Sequence, residues 1–202
     1  MSKLETNTID TVSGTSTLQV GSTNTSTITL GVSGDTINVP SGVTINNNGT
    51  QTGFGGANTP AFLANLSSNF NLTDQSAVKV QFNNEIFDIG SCYDPSSNFR
   101  FTVPSGEGGK YFVYAQLVVN ASGSVVHRSD VKIYKNGSEF TSSVGFDSNN
   151  TQYSVWCSWS GVIVLNASDY LEVYNYNDVS SGTPVARSSS MQSIFGAYKI
   201  IE

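Results

Sequence analysis

The sequence predicts an all-β protein: a sandwich domain forms its C-terminal part, and a thin, repetitive β-rich segment precedes it. Three observations predict this. Only 12% of the residues are charged, about half the usual share, and abundant Ser, Thr, Asn and Gly favour strands and turns over helices. Apolar residues alternate with period two in short runs, which turn clusters interrupt roughly every ten residues. The first aromatic residue is Phe54, so only the later part can form an independent core.

Charge and hydropathy exclude several functions. The formal net charge is −6, and the 9 Lys and Arg are scattered singly, whereas a nucleic-acid partner needs a clustered basic face. No apolar run is long enough to span a bilayer, and the opening MSKLETNTID lacks the apolar core of a secretion signal. The sequence therefore predicts a protein that is made inside a cell without membrane insertion, although its surface chemistry is that of an extracellular protein. A virion component made in the host cytoplasm fits this combination, because lysis releases it without export.

Residues 16–53 contain apolar doublets at positions i and i+2, bounded by Gly, Pro, Ser or Asn. The doublets are Leu18 and Val20, Ile28 and Leu30, Ile37 and Val39, and Val43 and Ile45. They recur about every ten residues, which is typical of a stacked β-repeat. One such chain buries too little apolar area to offset its backbone entropy. We therefore predict a stalk of three chains around a shared core; the alternative is a disordered polar linker.

Two short segments flank this predicted stalk. Residues 1–15 are the natural docking peptide to other virion proteins, because they precede the repeats and carry charges in an otherwise uncharged stretch; Lys3, Leu4 and Ile9 are the candidate docking residues. Residues 54–60 are rich in Gly and end at Pro60. Such a composition predicts a flexible elbow.

Residues 61–202 read as a series of strands and no helix. In KYFVYAQLV one face carries Tyr111, Val113, Ala115 and Leu117. In DYLEVYNYN, the face of Leu171, Val173 and Asn175 opposes that of Tyr170, Glu172, Tyr174 and Tyr176. Many short alternating strands between turn clusters predict a β-sandwich or jelly roll.

An ordered series of motifs in this part resembles the C1q-type globular domain, which shares its jelly roll with the tumour necrosis factor family. The opening PAFLANLSSNFNL resembles the family's first strand, and the closing SIFGAYKI its last. KIYKNG resembles the mid-domain hairpin with its Asn-Gly turn, and SGVIVLNASDYLEVYNY a later strand pair. The central signature is matched in order by Phe82, Asp88, Tyr93, Phe101, Gly109 and Tyr111.

The resemblance implies a compact homotrimer that associates through its flat inner sheets, with both ends of the domain near each other. It leaves open a calcium ion held by Asp and Asn oxygens on the trimer axis, although the chain lacks the dense alternating ligands of a dedicated calcium loop. No other cofactor and no metal site is predicted.

The N-terminal segment resembles the Ser-, Thr- and Gly-rich stalks of bacteriophage tail fibres, particularly marine ones. Together the two resemblances imply a trimeric tail fibre whose knob binds a glycan or protein on the host cell surface. The alternative is a capsid head fibre or decoration protein with a structural role. A third hypothesis, a polysaccharide-degrading enzyme, needs paired carboxylates on a glycan groove, and no such pair stands out.

Candidate binding residues lie in two predicted loops of the knob, residues 145–153 and 177–189. Loops rich in Tyr, Asn and Ser on a rigid scaffold are suited to contacting glycans and proteins. The candidates are Tyr153, Arg187, Asn149 and Asn150.

No catalytic residue is predicted. The single histidine, His127, lies in a strand-like run without a nucleophile elbow or oxyanion loop nearby. Cys92 and Cys157 are predicted to be small buried side chains rather than a disulfide, because the chain folds in a reducing compartment.

Overall fold

The computed structural model describes residues 20–21, 23–46, 48, 58–121, 123–146 and 153–200. The chain divides into two compact units, Met1–Gln51 and Thr52–Glu202. Each unit is treated separately below.

The described residues of the first unit form turns and no strand. In one turn Asp35 N donates to Val32 O at 3.0 Å. The apolar doublets lie on the surface of the single chain, with exposed fractions from 40% at Val39 to 66% at Leu30; Leu18 is outside the described residues. The shared stalk core therefore stays a prediction, and so does the docking role of Lys3, Leu4 and Ile9, which the structure does not describe.

The described part of the second unit contains thirteen β-strands and one short 3-10 turn, Ser189–Met191. The strands are β1 (Ala61–Asn65), β2 (Phe70–Asn71), β3 (Val78–Lys79), β4 (Asn84–Ile89), β5 (Tyr93–Asp94), β6 (Arg100–Thr102), β7 (Gly109–Asn120), β8 (Val126–Lys135), β9 (Ser138–Phe146), β10 (Ser154–Leu165), β11 (Tyr170–Val179), β12 (Val185–Ala186) and β13 (Ile194–Lys199). No helix among the described residues has the length and apolar character needed to cross a membrane.

The strands form two antiparallel sheets. Sheet A has seven strands in the order β2–β12–β7–β13–β1–β4, with β10 paired along the other edge of β7. Sheet B has six strands in the order β5–β6–β11–β8–β9, with β3 also paired to β11. The chain passes from one sheet to the other after β2, β3, β4, β6, β7, β9, β10 and β11, and such repeated crossing between two sheets is the winding of a jelly roll. The predicted all-β sandwich is confirmed.

Alternation along the strands places the core between the sheets. In β7 the predicted face of Tyr111, Val113, Ala115 and Leu117 is buried, and in β11 Leu171, Val173 and Asn175 are buried. Phe62 lies at the centre of an aromatic cluster. Its ring stacks on Tyr93 at 4.6 Å and on Phe101 at 5.2 Å, and it meets Phe195 edge-on at 4.9 Å. Such pairs add to the free energy of burial.

The predicted Asn-Gly hairpin joins β8 and β9. Asn136 has φ 52° and Gly137 has φ 80°, the two left-handed residues that a tight hairpin turn requires. The Asn136 side chain also ties this turn to the start of β11, because its Nδ2 donates to Asp169 Oδ1 at 2.7 Å and its Oδ1 accepts from Tyr170 N at 2.9 Å.

Both ends of the sandwich chain lie together. Lys199 N donates to Pro60 O at 3.1 Å, and Ala61 at the start of β1 pairs with Tyr198 in β13. We call this end of the sandwich the basal end. The opposite end, where Asn120 pairs with Ser154 and Val185, is the distal end. The proximity of the two termini that the resemblance implies is confirmed for residues 60 and 199.

Candidate functional site

The outward face of sheet A is the candidate site. Even-numbered residues of β7 point away from the sandwich core, and the register aligns them with residues of the neighbouring strands. At the basal end one row crosses five strands and contains Val162, Phe112, Tyr198, Ala61 and Ile89. The next row contains Ser160, Tyr114, Gly196, Leu63 and Phe87.

The basal part of this face is apolar and exposed. We define the basal patch as Phe87, Ile89, Phe112, Val162, Val164 and Tyr198. Five of these residues have large exposed fractions: Phe87 42%, Ile89 52%, Val162 55%, Val164 64% and Tyr198 37%. Soluble monomers seldom expose a contiguous apolar surface of this kind unless it is a contact site.

At the centre of the face an aromatic ring lies over a glycine. Any side chain at Gly196 would overlap the Tyr114 ring, so glycine allows Tyr114 to lie against the sheet. Burial, with a smaller contribution from the neighbouring Tyr198, raises the pKa of the Tyr114 hydroxyl. Phe112 packs 5.5 Å from Tyr198 and 6.1 Å from Tyr114, ring centre to ring centre. The three rings pack against one another on the outward face of the sheet.

The distal part of the face is polar, apart from one tryptophan and two valines. Its first row is Ser154, Asn120 and Val185, and its second is Trp156, Val118 and Arg187. Asn120 Nδ2 donates to Ser154 Oγ at 2.9 Å, and Gln116 Nε2 donates to Gln192 O at 3.0 Å. We define the distal patch as Ser154, Asn120, Trp156, Arg187, Gln116 and Gln192.

The outward face of sheet B differs, because its rings and charges contact each other. Tyr134 and Tyr174 stack at 3.9 Å. The charged pairs are Lys79 with Glu172 at 2.7 Å, Arg128 with Asp130 at 2.6 Å and Lys132 with Glu139 at 2.9 Å. Arg100 lies 4.3 Å from the centre of the Tyr170 ring. These side chains are held by neighbours on the same surface, so sheet A offers the better binding face.

The two predicted loop residues that the structure describes, Tyr153 and Arg187, lie at the distal end. Tyr153, 50% exposed, immediately precedes β10, and Arg187 immediately follows β12. The predicted loops are shorter than expected, because β9 includes Gly145 and the second loop contains the end of β11 and all of β12. Asn149 and Asn150 lie outside the described residues. The binding role of all four residues stays a prediction.

Sequence reasoning missed Trp156 and the basal patch. In SVWCSWSGVIVL, apolar residues occupy both phases of the alternation: Trp156, Val162 and Val164 on one face, and Val155, Cys157, Ile163 and Leu165 on the other. A strand that is apolar on both faces is typically buried on both faces. That pattern is the signal that predicts a covering partner.

The geometry gives no support to a nucleophile–base pair. Cys157 Sγ lies 3.4 Å from Ser129 Oγ and 3.8 Å from Leu117 O. Among the residues that the structure describes, no hydrogen bond joins His127 to either cysteine, and no cluster of three His, Cys, Asp or Glu side chains has the arrangement of a metal site. Both cysteines are buried and free, as predicted.

Both thiols are expected to be inert in the folded protein. Burial raises the pKa of Cys157 to about 11. Burial and the hydrogen bond from its sulfur to Asp88 raise the pKa of Cys92 still further. Because the thiolate is the reactive species, a chromogenic disulfide reagent should react slowly with the native protein and fully after denaturation. Rapid reaction of one thiol without denaturant would contradict these assignments; Cys92→Ala and Cys157→Ala variants identify which one.

The sandwich is similar to solved structures of the tumour necrosis factor type. Murine APRIL at pH 5.0 matches with a TM-score of 0.52 and 13% identity over 69% of this chain and 98% of that one. Eiger TNF from S. frugiperda matches with a TM-score of 0.51 and 14% identity over 69% and 90% of the two chains. The globular domain of zebrafish complement 1qA gives 0.49 and 16% over 70% and 98%.

At these identities the first two matches establish the fold. The second unit is a C1q/tumour-necrosis-factor-like jelly-roll β-sandwich. No family model matches the sequence, and no curated protein matches it.

Proposed function

We propose that this chain is a homotrimeric binding module, mounted on a bacteriophage virion as a fibre, whose jelly-roll knob binds the host cell surface. The observation that carries the proposal is the basal patch. It brings exposed apolar side chains together on one sheet face, and burying such side chains against a partner is favourable by about 25 cal/mol per Å².

The partner proposed for the basal patch is a second copy of the same chain. The basal patch lies next to both ends of the sandwich chain. If the N-terminal segments of neighbouring copies associate, the basal patches of those copies are brought close to each other. The apolar doublets of the first unit are exposed in the single chain, so association of the chains would bury them as well. The resemblance to trimeric C1q-type domains favours three copies. Native mass spectrometry of the full-length protein measures the number of copies.

The distal end is the proposed host-binding end. It is the part of sheet A farthest from Pro60, where the chain enters the sandwich, and it carries amide, hydroxyl, indole and guanidinium groups beside two valines. Three copies would present these groups together, so that weak single contacts add up through avidity. The virion location rests on the composition and on the resemblance of the N-terminal segment to phage stalks.

Competition for host cells tests the proposal. Purified full-length protein should bind the host surface and block phage adsorption when added in excess. Protein unfolded by heat is the control. If saturating folded protein leaves adsorption unchanged, the receptor-binding role is wrong. Virions lacking the protein that still adsorb normally would favour the head fibre or decoration role instead.

A further inference from the structure

The turn between β8 and β9 carries a chemically labile pair, Asn136 and Gly137. In such a pair the backbone nitrogen of the glycine can attack the side-chain amide of the asparagine, because glycine has no Cβ to shield that nitrogen. Both residues are exposed, so water reaches them. Asn136 is also the only asparagine within residues 52–202 that precedes a glycine. The turn is therefore the position in the sandwich where deamidation is chemically easiest.

Deamidation at this pair replaces a nitrogen by an oxygen. Gly137 N gives up its proton and forms a bond to Asn136 Cγ, the bond from Cγ to Nδ2 breaks, and ammonia leaves with that proton. The cyclic imide that remains is opened by water at either of its carbonyl groups. The product is aspartate or isoaspartate, and water is the only other reactant.

Two hydrogen bonds hold the Asn136 side chain in place, and we call them the latch. Asn136 Nδ2 donates to Asp169 Oδ1 at 2.7 Å, and Asn136 Oδ1 accepts from Tyr170 N at 2.9 Å. Both polar atoms of the amide are therefore engaged at the start of β11. Attack by Gly137 N requires the amide to rotate out of these bonds, so the latch opposes the reaction.

Asp169 is an ionised acceptor in the latch. The hydrogen bonds from the Asn136 side chain and from Asn166 N lower the pKa of Asp169 to about 2, and Lys135 Nζ lies 3.0 Å from its Oδ2. A hydrogen bond to a charged acceptor is stronger than one between neutral groups. A carboxylate at position 136 could not donate to Asp169 and would instead place a second negative charge beside it.

We propose that Asn136 is the deamidation site of the sandwich, and that its bonds to Asp169 and Tyr170 keep it intact in the folded protein. Opening of the latch permits the reaction, and the acidic product then frees the β8–β9 hairpin from the start of β11. The hairpin belongs to sheet B, away from the sheet A face proposed for the contact between copies. This inference concerns the chemical lifetime of the chain and does not depend on the proposed function.

The test follows deamidation of full-length protein at one mildly alkaline pH, by mass spectrometry of its peptides. An isoaspartyl methyltransferase labels the isoaspartate product separately. Folded wild-type protein should lose the Asn136 amide at least about tenfold more slowly than protein unfolded in guanidinium chloride, because a hydrogen bond to a charged group must first break.

Asp169→Ala should raise the rate in folded protein about tenfold or more, since it removes that charged acceptor. Asp94→Ala is the matched control, because Asp94 is likewise a turn carboxylate that accepts from an asparagine, Asn98 Nδ2, at 2.8 Å. It should leave the rate at Asn136 unchanged. The other Asn-Gly pair of the chain, Asn48 and Gly49, is measured in the same digest and should respond to neither variant. Circular dichroism checks the fold.

A second measurement tests the consequence of deamidation without the Asp169→Ala protein. Asn136→Asp imitates the product and should lower the midpoint of denaturant unfolding. In an Asp169→Asn background the same change should lower the midpoint less, because an amide at position 169 can donate to the new carboxylate, whereas the native carboxylate repels it.

Three results would overturn the proposal. In the first, folded and unfolded wild-type protein lose the Asn136 amide equally fast. In the second, folded Asp169→Ala protein deamidates no faster than wild type, or Asp94→Ala accelerates the reaction equally. In the third, Asn136→Asp shifts the unfolding midpoint by the same amount whether residue 169 is aspartate or asparagine.

Discussion

Replacing Val162 with lysine should convert the assembled protein into separate chains whose sandwiches remain folded. Val162 is 55% exposed in the single chain and lies in the row of Phe112 and Tyr198. If the basal patch is covered by another copy, each chain would bury an unpaired ammonium group, at a cost on the order of 3 kcal/mol per chain. Light scattering or native mass spectrometry measures the mass, and circular dichroism checks the fold.

The control for this substitution is Val144→Lys. Val144 is 51% exposed on β9, where it pairs with Asp130 on sheet B. It has the same size and nearly the same exposure, but it lies outside the basal patch. The Val144→Lys protein should therefore still assemble. If Val162→Lys protein keeps the wild-type mass, the basal patch is not the contact between copies.

Replacing Phe62 with alanine is expected to be the most destabilising single change in the sandwich. Phe62 is fully buried between the sheets and contacts the rings of Tyr93, Phe101 and Phe195. Removal of a buried phenyl ring costs about 3–5 kcal/mol of the free energy of unfolding, through lost burial and the cavity left behind. Urea unfolding followed by tryptophan fluorescence measures this loss.

Phe140→Ala is the matched control, because Phe140 is 53% exposed on β9. Its effect on the free energy of unfolding should be below about 1 kcal/mol. All variants are compared at one protein concentration, since the stability of an assembly depends on concentration. A small effect at Phe62 would mean that the aromatic cluster contributes less than its burial indicates.

Much of the sandwich could be predicted because its strands alternate cleanly. The predicted core faces, Tyr111 to Leu117 in β7 and Leu171 to Asn175 in β11, are the alternate positions that the structure buries. The Asn136–Gly137 turn was predictable for a similar reason, since few residue pairs adopt two left-handed conformations.

The binding face was harder to predict, because the register between distant strands decides it. Tyr153 and Arg187 are 34 positions apart in the chain, and only the pairing of β10 and β12 with β7 brings them to one end. Trp156 is missed for another reason. Between Val155 and Cys157 its indole reads as part of a core, and sequence alone does not tell a core from a surface that another molecule covers.

The hydrogen bond between Pro60 O and Lys199 N also has a mechanical meaning. The chain enters the sandwich on β1, which is bonded along both edges, to β13 and to β4. A pull transmitted through Pro60 and resisted at the distal end runs parallel to β1. The bonds on both of its edges are then loaded in shear and must yield together, whereas a pull across the strand would open them one after another. In the proposed fibre, a jelly roll threaded in this way would carry tension between the anchor and the bound surface without unravelling from its first strand.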